Sequence, residues 1–304
     1  MNRWWTVVLG IGLLAALCWA YWPSLGLMIN RWTYDPRYAH GYLVPIFAVF
    51  LLWRDRGRLG SIRFTSSRWW GIAVLLLGCA THVAGGVLHN DWLALMSVLP
   101  SLGGVVLLWG GWTALRWAAP AIAYLAFMVP LPYRVEIALG WPLQRLATSA
   151  SVYLLQTQGL AAVGEGNVIV LDHGRIGVVE ACSGLSMMLL FVALSTGVAI
   201  LVRRPWTDRL LLVLSAIPIA LVVNILRITV TGVLNETVGG RVAQVVYHDL
   251  AGWLMMPTAL LLMGLELWLL DRLLIEDGLG GSMVSPREGR TGRFGPIKPT
   301  LTRP

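Results

Sequence analysis

Three side chains in this 304-residue sequence have the types and setting for joint chemistry: Cys182, Arg227 and His248. A thiolate is a strong nucleophile, and a near-neutral imidazole is the usual base that generates one. A planar guanidinium can hold the oxyanion that forms when the thiolate attacks a carbonyl. Cys182 lies in Glu180-Ala-Cys-Ser-Gly-Leu185, where a turn-rich segment meets the apolar run Leu185–Leu194. If a helix starts at Ser183–Gly184, the thiol faces the positive end of its dipole, which favours thiolate. The same free N–H groups would face a developing oxyanion. The plain alternative, a small buried hydrophobe, carries equal weight on spacing alone.

The companions have alternatives too. Asn224, Arg227 and Thr231 fall at i, i+3 and i+7 and share one helix face. An arginine within an apolar span is costly and by default marks a site facing the bundle interior. Its alternative is snorkelling to nearby headgroups, which Asn224 on the same face disfavours. His248 opens Tyr247-His-Asp-Leu-Ala-Gly-Trp253 as a candidate base, or as a water-exposed interfacial histidine. Asp249 is adjacent to it and badly placed to orient it. His40, in Ala39-His-Gly-Tyr-Leu-Val44, lines the same site or satisfies backbone groups at a helix start. Glu180 caps the helix or pairs with Arg227. His82 and His89 draw no role, and Cys18 and Cys79, inside apolar runs, read as buried packing thiols. No metal-ligand spacing, phosphate-cradling loop or dinucleotide fingerprint appears, so neither metal nor cofactor is expected.

The elements that must position these residues are hydrophobic helices. The sequence is 57% hydrophobic and 12% charged, about half the charge of a soluble domain, with a mean hydropathy of +0.70. An all-α polytopic membrane protein is expected, with about eight transmembrane helices. They fall at Trp4–Leu27, Ala39–Trp53, Trp69–Leu88, Trp92–Trp109, Trp117–Val129, Leu185–Val202, Leu210–Val233 and Leu250–Leu270. Sixteen tryptophans suit headgroup level. The net charge of +8 does not point to nucleic acid, because the basic residues sit in short loops between apolar runs. Sixteen Lys and Arg fall in alternate loops and the termini, against six on the other side. The positive-inside rule then puts both termini in the cytoplasm. Cys182, Arg227, His248 and His40 thereby come to the outer leaflet.

Leu131–Ala181 is the longest outer segment. Glu136–Leu155 has apolar residues at helical spacing and reads as an amphipathic helix lying in the interface. Two β-branched runs flank Asp172-His173-Gly174 and read as a β-hairpin that delivers Cys182 to the membrane surface. One membrane domain spans residues 1–275, and the Gly-, Pro- and Arg-rich tail 276–304 reads as disordered and cytoplasmic. A transporter or channel would also place polar groups in spans, but commonly near the midplane and with inverted repeats. A non-catalytic envelope-assembly scaffold is the other class; thiol-reactive labelling of Cys182 would count against it.

Glu180-Ala-Cys-Ser-Gly-Leu185, Asn224-Ile-Leu-Arg-Ile228, His248-Asp-Leu-Ala-Gly-Trp253 and Ala39-His-Gly-Tyr-Leu-Val44 together resemble the exosortase/archaeosortase family, in the family's order. The resemblance implies a membrane cysteine protease or transpeptidase. It would process secreted proteins bearing a carboxy-terminal sorting signal: a Pro-Glu-Pro-type motif, an apolar helix and a basic end. The resemblance assigns the catalytic Cys, Arg and His to Cys182, Arg227 and His248. Glu180, Ser183, Gly184, Asn224 and His40 are the expected supporting or substrate-contacting residues. Histidine as the third member resembles the bacterial exosortases. Ser186-Met187-Met188 stands where many relatives have Arg soon after Ser-Gly-Leu, a departure that bears on substrate choice.

Overall fold

The computed structural model describes residues 3–61, 67–172, 174–178, 184–238 and 251–273. The described chain forms helices α1 (Arg3–Ala20), α2 (Trp22–Tyr34), α3 (Leu43–Arg54), α4 (Arg68–Val87), α5 (Asp91–Met96), α6 (Val98–Tyr124) and α7 (Tyr133–Thr157). Strands β1 (Val163–Glu165), β2 (Val168–Leu171) and β3 (Gly174–Gly177) follow, then α8 (Leu185–Leu201), α9 (Trp206–Thr237) and α10 (Ala251–Leu273). Single 3-10 segments cover Pro36–Tyr42, Asp55–Ser61 and Leu125–Met128. The tail 276–304 lies outside the described residues.

Helix α8 is the axis. A helix apolar all round is one buried all round, and no residue of Leu185–Leu201 is exposed. It touches α6, α7, α9 and the 3-10 turn Pro36–Tyr42. At Gly197 the ring of Phe47 on α3 and the hydroxyl of Tyr124 on α6 come within 3.2 and 3.3 Å of where a β-carbon would stand. The outer helices turn large apolar side chains outward instead: Leu76, Leu77 and Val83 on α4, and Leu214, Val222 and Val230 on α9. That surface suits lipid. Cys18 and Cys79 belong to it; both are exposed, not the buried packing thiols expected from the sequence.

Among the described residues, three stretches are long and apolar enough to cross a membrane: Arg68–Val87, Asp91–Met128 and Trp206–Thr237. The pair Gly10–Ala20 and Trp22–Tyr34 makes a fourth when its 58° bend is counted within one span. This is fewer than the eight spans expected. The first expected span is broken because Pro23, in the first turn of α2, has no N–H for the preceding turn. Tyr21 at the bend is held by the hydroxyls of Ser97 and Ser101, at 2.7 and 2.9 Å. The fourth and fifth expected spans are continuous in Asp91–Met128, but Gly111 interrupts α6 with φ 69° and ψ −164°. A β-carbon at Gly103 would meet the Leu115 side chain at 3.7 Å. Twelve residues of unbroken helix would hold those positions ~18 Å apart, so the chain folds back at Gly111. Helix α8, 17 residues long, and the apolar part of α10, Leu260–Leu269, fall below that length.

The two ends of the bundle differ. Arg54, Asp55, Trp117, Arg203 and Arg209 surround one cavity, while Arg31, Asp35, Arg37, Asn90 and Arg134 line another. These are the two sets of loops that the charge count assigns to opposite sides.

Helix α7 forms over the stretch expected to be an amphipathic helix, and the face it buries is small and polar. Gly140, Gln144, Ala147, Thr148 and Ser151 turn inward, and Ile137, Leu139, Trp141 and Leu146 are exposed. The inward stripe is small and polar because it packs on α9 and α8 at close range. Ser151 donates to the Ile225 carbonyl at 3.3 Å, and Gly140 faces the Leu185 side chain. Of the apolar residues at helical spacing, Ile137, Leu139 and Leu146 lie on the outward face, while Leu155 is buried.

Candidate active site

The β2–β3 hairpin forms as expected, with Val168 opposite Gly177 and Leu171 opposite Gly174. The sequence reading missed β1, which pairs with β2 through the two-residue turn Gly166-Asn167. Gly166 takes φ +62°, the left-handed backbone such a turn requires; the Gly-Asn pair between β-branched runs was the signal. Asn167 then holds two elements. Its side chain donates to Gln144 of α7 at 2.7 Å, and its carbonyl accepts from the Val178 N–H at 2.8 Å. The sheet is anchored below by Ile169 and Leu171, which share a buried cluster with Ala147, Leu155, Val178 and Ile228.

Past the hairpin, Glu180, Cys182 and Ser183 lie outside the described residues, as do His173, His248 and Asp249. The described chain resumes at Gly184, the N-cap of α8, with φ +79°. That places the helix start within a residue of the position expected. A β-carbon at Gly184 would stand 3.4 Å from the Asn224 side-chain nitrogen and 3.9 Å from Leu143 of α7. The N-terminus of α8 is thus walled by α9 on one side and α7 on another.

Helix α9 presents the face read from the sequence. Asn224 is wholly buried and Thr231 nearly so, while Arg227 is half-buried with its Nε and Nη2 atoms inaccessible to water. Its guanidinium is therefore turned into the protein and does not snorkel. Thr231 returns its hydroxyl to the Arg227 carbonyl at 2.9 Å. Asn224 and Gly184 are brought together at the start of α8, and Arg227 lies one turn further along the same face of α9.

His40 belongs to a neighbouring turn. The 3-10 segment that carries it packs on α8, and the His40 ring lies 6.4 Å from that of Tyr38. Gly41 is there because a β-carbon would strike the Trp32 indole at 2.3 Å. Trp32 in turn donates to the Met128 carbonyl at 2.9 Å.

Beside this turn is a polar network that no sequence motif announced. The buried Tyr38 hydroxyl donates to Glu136 of α7 and accepts from the Leu131 N–H at 3.0 Å. Arg37 approaches Glu136 at 3.7 Å and makes a two-pronged pair with Asp35, at 2.9 and 2.7 Å. Burial pushes the Tyr38 phenol up, and Glu136 adds to the shift, so it stays protonated. Burial also pushes the Asp35 carboxyl up, but the Arg37 hydrogen bonds and charge outweigh it and hold the group below the ordinary carboxylate range. The network ties the Pro36–Tyr42 turn to the start of α7, two elements that both pack on α8. Its one sequence signal was Glu136, the single carboxylate of α7.

No curated protein and no solved structure matches this chain. The family model for transmembrane exosortase matches residues 32–265, from the last turn of α2 into the second half of α10. That stretch is most of the chain and contains Cys182, Arg227, His248 and His40, so the chain belongs to the transmembrane exosortase family.

Proposed function

We propose that this protein is a membrane-embedded cysteine protease or transpeptidase that cuts the carboxy-terminal sorting signal of secreted proteins at the outer face of the inner membrane. One observation carries the reading. The two described residues bracketing 179–183 both rest on α9, on either side of Arg227: Val178 clusters with Ile228, and Gly184 abuts Asn224. Cys182 is two residues before Gly184, and two residues of chain reach at most ~7 Å. Covalent geometry thus keeps the thiol near this face of α9.

The third partner follows from helix counting. Ser215 of α9 donates to Glu266 of α10. Equal rise along two antiparallel packed helices sets Ala251 level with Val230, and His248 is three residues earlier. That supports an imidazole one to two turns from Arg227.

In the mechanism, His248 takes the Cys182 proton, and the thiolate attacks the scissile carbonyl carbon. Arg227 and the first N–H groups of α8 hold the tetrahedral oxyanion. As the C–N bond breaks, His248 gives its proton to the leaving amine, and the acyl group stays on sulfur as a thioester. Water, an amine or a hydroxyl then attacks the thioester, and the thiol is regenerated. Asn224 positions the helix start, and Glu180, Ser183 and His40 line the approach. A substrate held in the bilayer by its own carboxy-terminal helix meets the enzyme at raised effective concentration. Eight crossings with both termini in the cytoplasm put this pocket on the outside, where such a cleavage site would lie. In that count α1 and α2 are one bent span and the Gly111 fold separates two.

The test is co-expression of a secreted protein carrying such a signal with wild type, Cys182→Ala or Cys182→Ser. Loss of processing and retention of the full-length membrane-anchored form are expected for both variants. Unaltered processing by Cys182→Ala removes the nucleophile and with it the enzyme reading.

A further inference from the structure

We propose that the arginine-rich end of the bundle holds a second site, for a phosphate-bearing anion at headgroup level. Three segments far apart in sequence meet there around a cavity of about 270 Å³. The end of α3 and the 3-10 turn after it bring Arg54 and Arg58, α6 brings Trp117 and Pro120, and the α8–α9 connection with the first turn of α9 brings Arg203 and Arg209. Among the described residues lining the cavity, these four arginines are accompanied by one carboxylate, Asp55, 3.4 Å from Arg58. The cavity is built by tertiary bonds: Arg54 donates to the Leu201 carbonyl at 2.9 Å, and the Trp117 indole donates to the Asp55 carbonyl at 3.0 Å. Loops that only marked topology would need no common concavity.

The lining indicates what enters. Guanidinium groups present planar forks that match phosphate oxygens. One wall is apolar, made by Leu51, Ile200 and Leu201. Exposed Trp53 and Trp206 lie in the same segments and mark the bilayer interface. A phosphate with an acyl chain beside it satisfies both halves, so an anionic phospholipid headgroup is the expected occupant and a soluble phosphate its alternative source. This site lies at the opposite end of α8 from Gly184 and does not depend on the peptidase reading.

The full-length protein is reconstituted in nanodiscs of equimolar phosphatidylglycerol and phosphatidylcholine, and lipid retained by the released protein is counted by native mass spectrometry. Wild type should retain phosphatidylglycerol selectively. Replacing Arg58, Arg203 and Arg209 with Gln should weaken retention by about fivefold per arginine. Replacing Arg56, Arg68 and Arg116 with Gln removes equal charge from the same end outside the cavity and should leave retention unchanged. The Arg58, Arg203 and Arg209 to Lys variant keeps the charge and reports on folding; it should retain most of the lipid. In a second arm, inorganic phosphate is added in a thermal-shift assay. Stabilisation of wild type but not of the cavity variant, without lipid selectivity, assigns the site to a soluble phosphate. Equal loss in both Gln variants, or no response to lipid or inorganic phosphate, overturns the proposal.

Discussion

At the scale of single residues, Gly184 is the most constrained position near the proposed nucleophile. Its φ of +79° excludes a β-carbon on backbone grounds, at about 1–2 kcal/mol, and Asn224 closes the space at 3.4 Å. Gly184→Ala should therefore move the helix start off Asn224. Substrate processing is expected to fall by about five- to thirtyfold in protein that still purifies as a monodisperse species. Normal processing by such protein would show that the α8 start does not set the chemistry. Asp35 allows a pH test. Its folded carboxyl titrates below the ordinary value. The stability it contributes is therefore full above the unfolded pKa of ~3.9 and is lost as pH falls through the lowered folded value. Asp35→Asn should lower the melting temperature in detergent at neutral pH, and wild type and variant should converge at the acid end. A constant gap across the range would mean the Arg37 pair adds nothing through its charge.

At the scale of elements, α4 illustrates why membrane helices use glycine for contact. Gly71, Gly78 and Gly85 are buried on one face, seven residues apart. Added β-carbons would stand 2.8 Å from the Leu108 nitrogen, 2.8 Å from the Ser101 nitrogen and 2.5 Å from the Ala94 nitrogen. Backbone cannot swing aside as a side chain can, so Gly78→Val should destabilise by about 1–3 kcal/mol. The measurement is the thermal midpoint in detergent. Gly86→Val, where nothing lies within 4 Å, is the control and should melt like wild type. Helix α7 shows the limit of periodicity. Its apolar residues repeat at helical spacing, which is correct for a helix. A soluble protein would bury that face, whereas here lipid accepts it and the polar stripe packs inward. Periodicity measures which face is apolar and leaves open which solvent that face meets.

At the scale of the molecule, the two polar ends can be told apart chemically. In a Cys18→Ser, Cys79→Ser, Cys182→Ser background, Asn90→Cys sits between α4 and α5 and Gly57→Cys between α3 and α4. A membrane-impermeant maleimide added to intact cells should label Asn90→Cys and spare Gly57→Cys until the cells are lysed. The reverse pattern would invert the protein and put the α8 pocket on the cytoplasmic side.

The sequence alone determined the membrane class, the helical face of Asn224, Arg227 and Thr231, the start of α8, the β2–β3 hairpin and the family. These rest on composition and on spacings of a few residues, which local backbone geometry converts directly into shared faces. Only the tertiary structure decided that α8 is the buried axis, that the chain bends at Tyr21 and folds back at Gly111, and that Tyr38, Glu136 and Arg37 tie the Pro36–Tyr42 turn to α7. Tyr38 and Glu136 are 98 residues apart, and Arg54 and Leu201 are 147 apart. No local pattern encodes such a pairing, because it forms only when helices that are each stable alone find the packing that satisfies their few polar groups together.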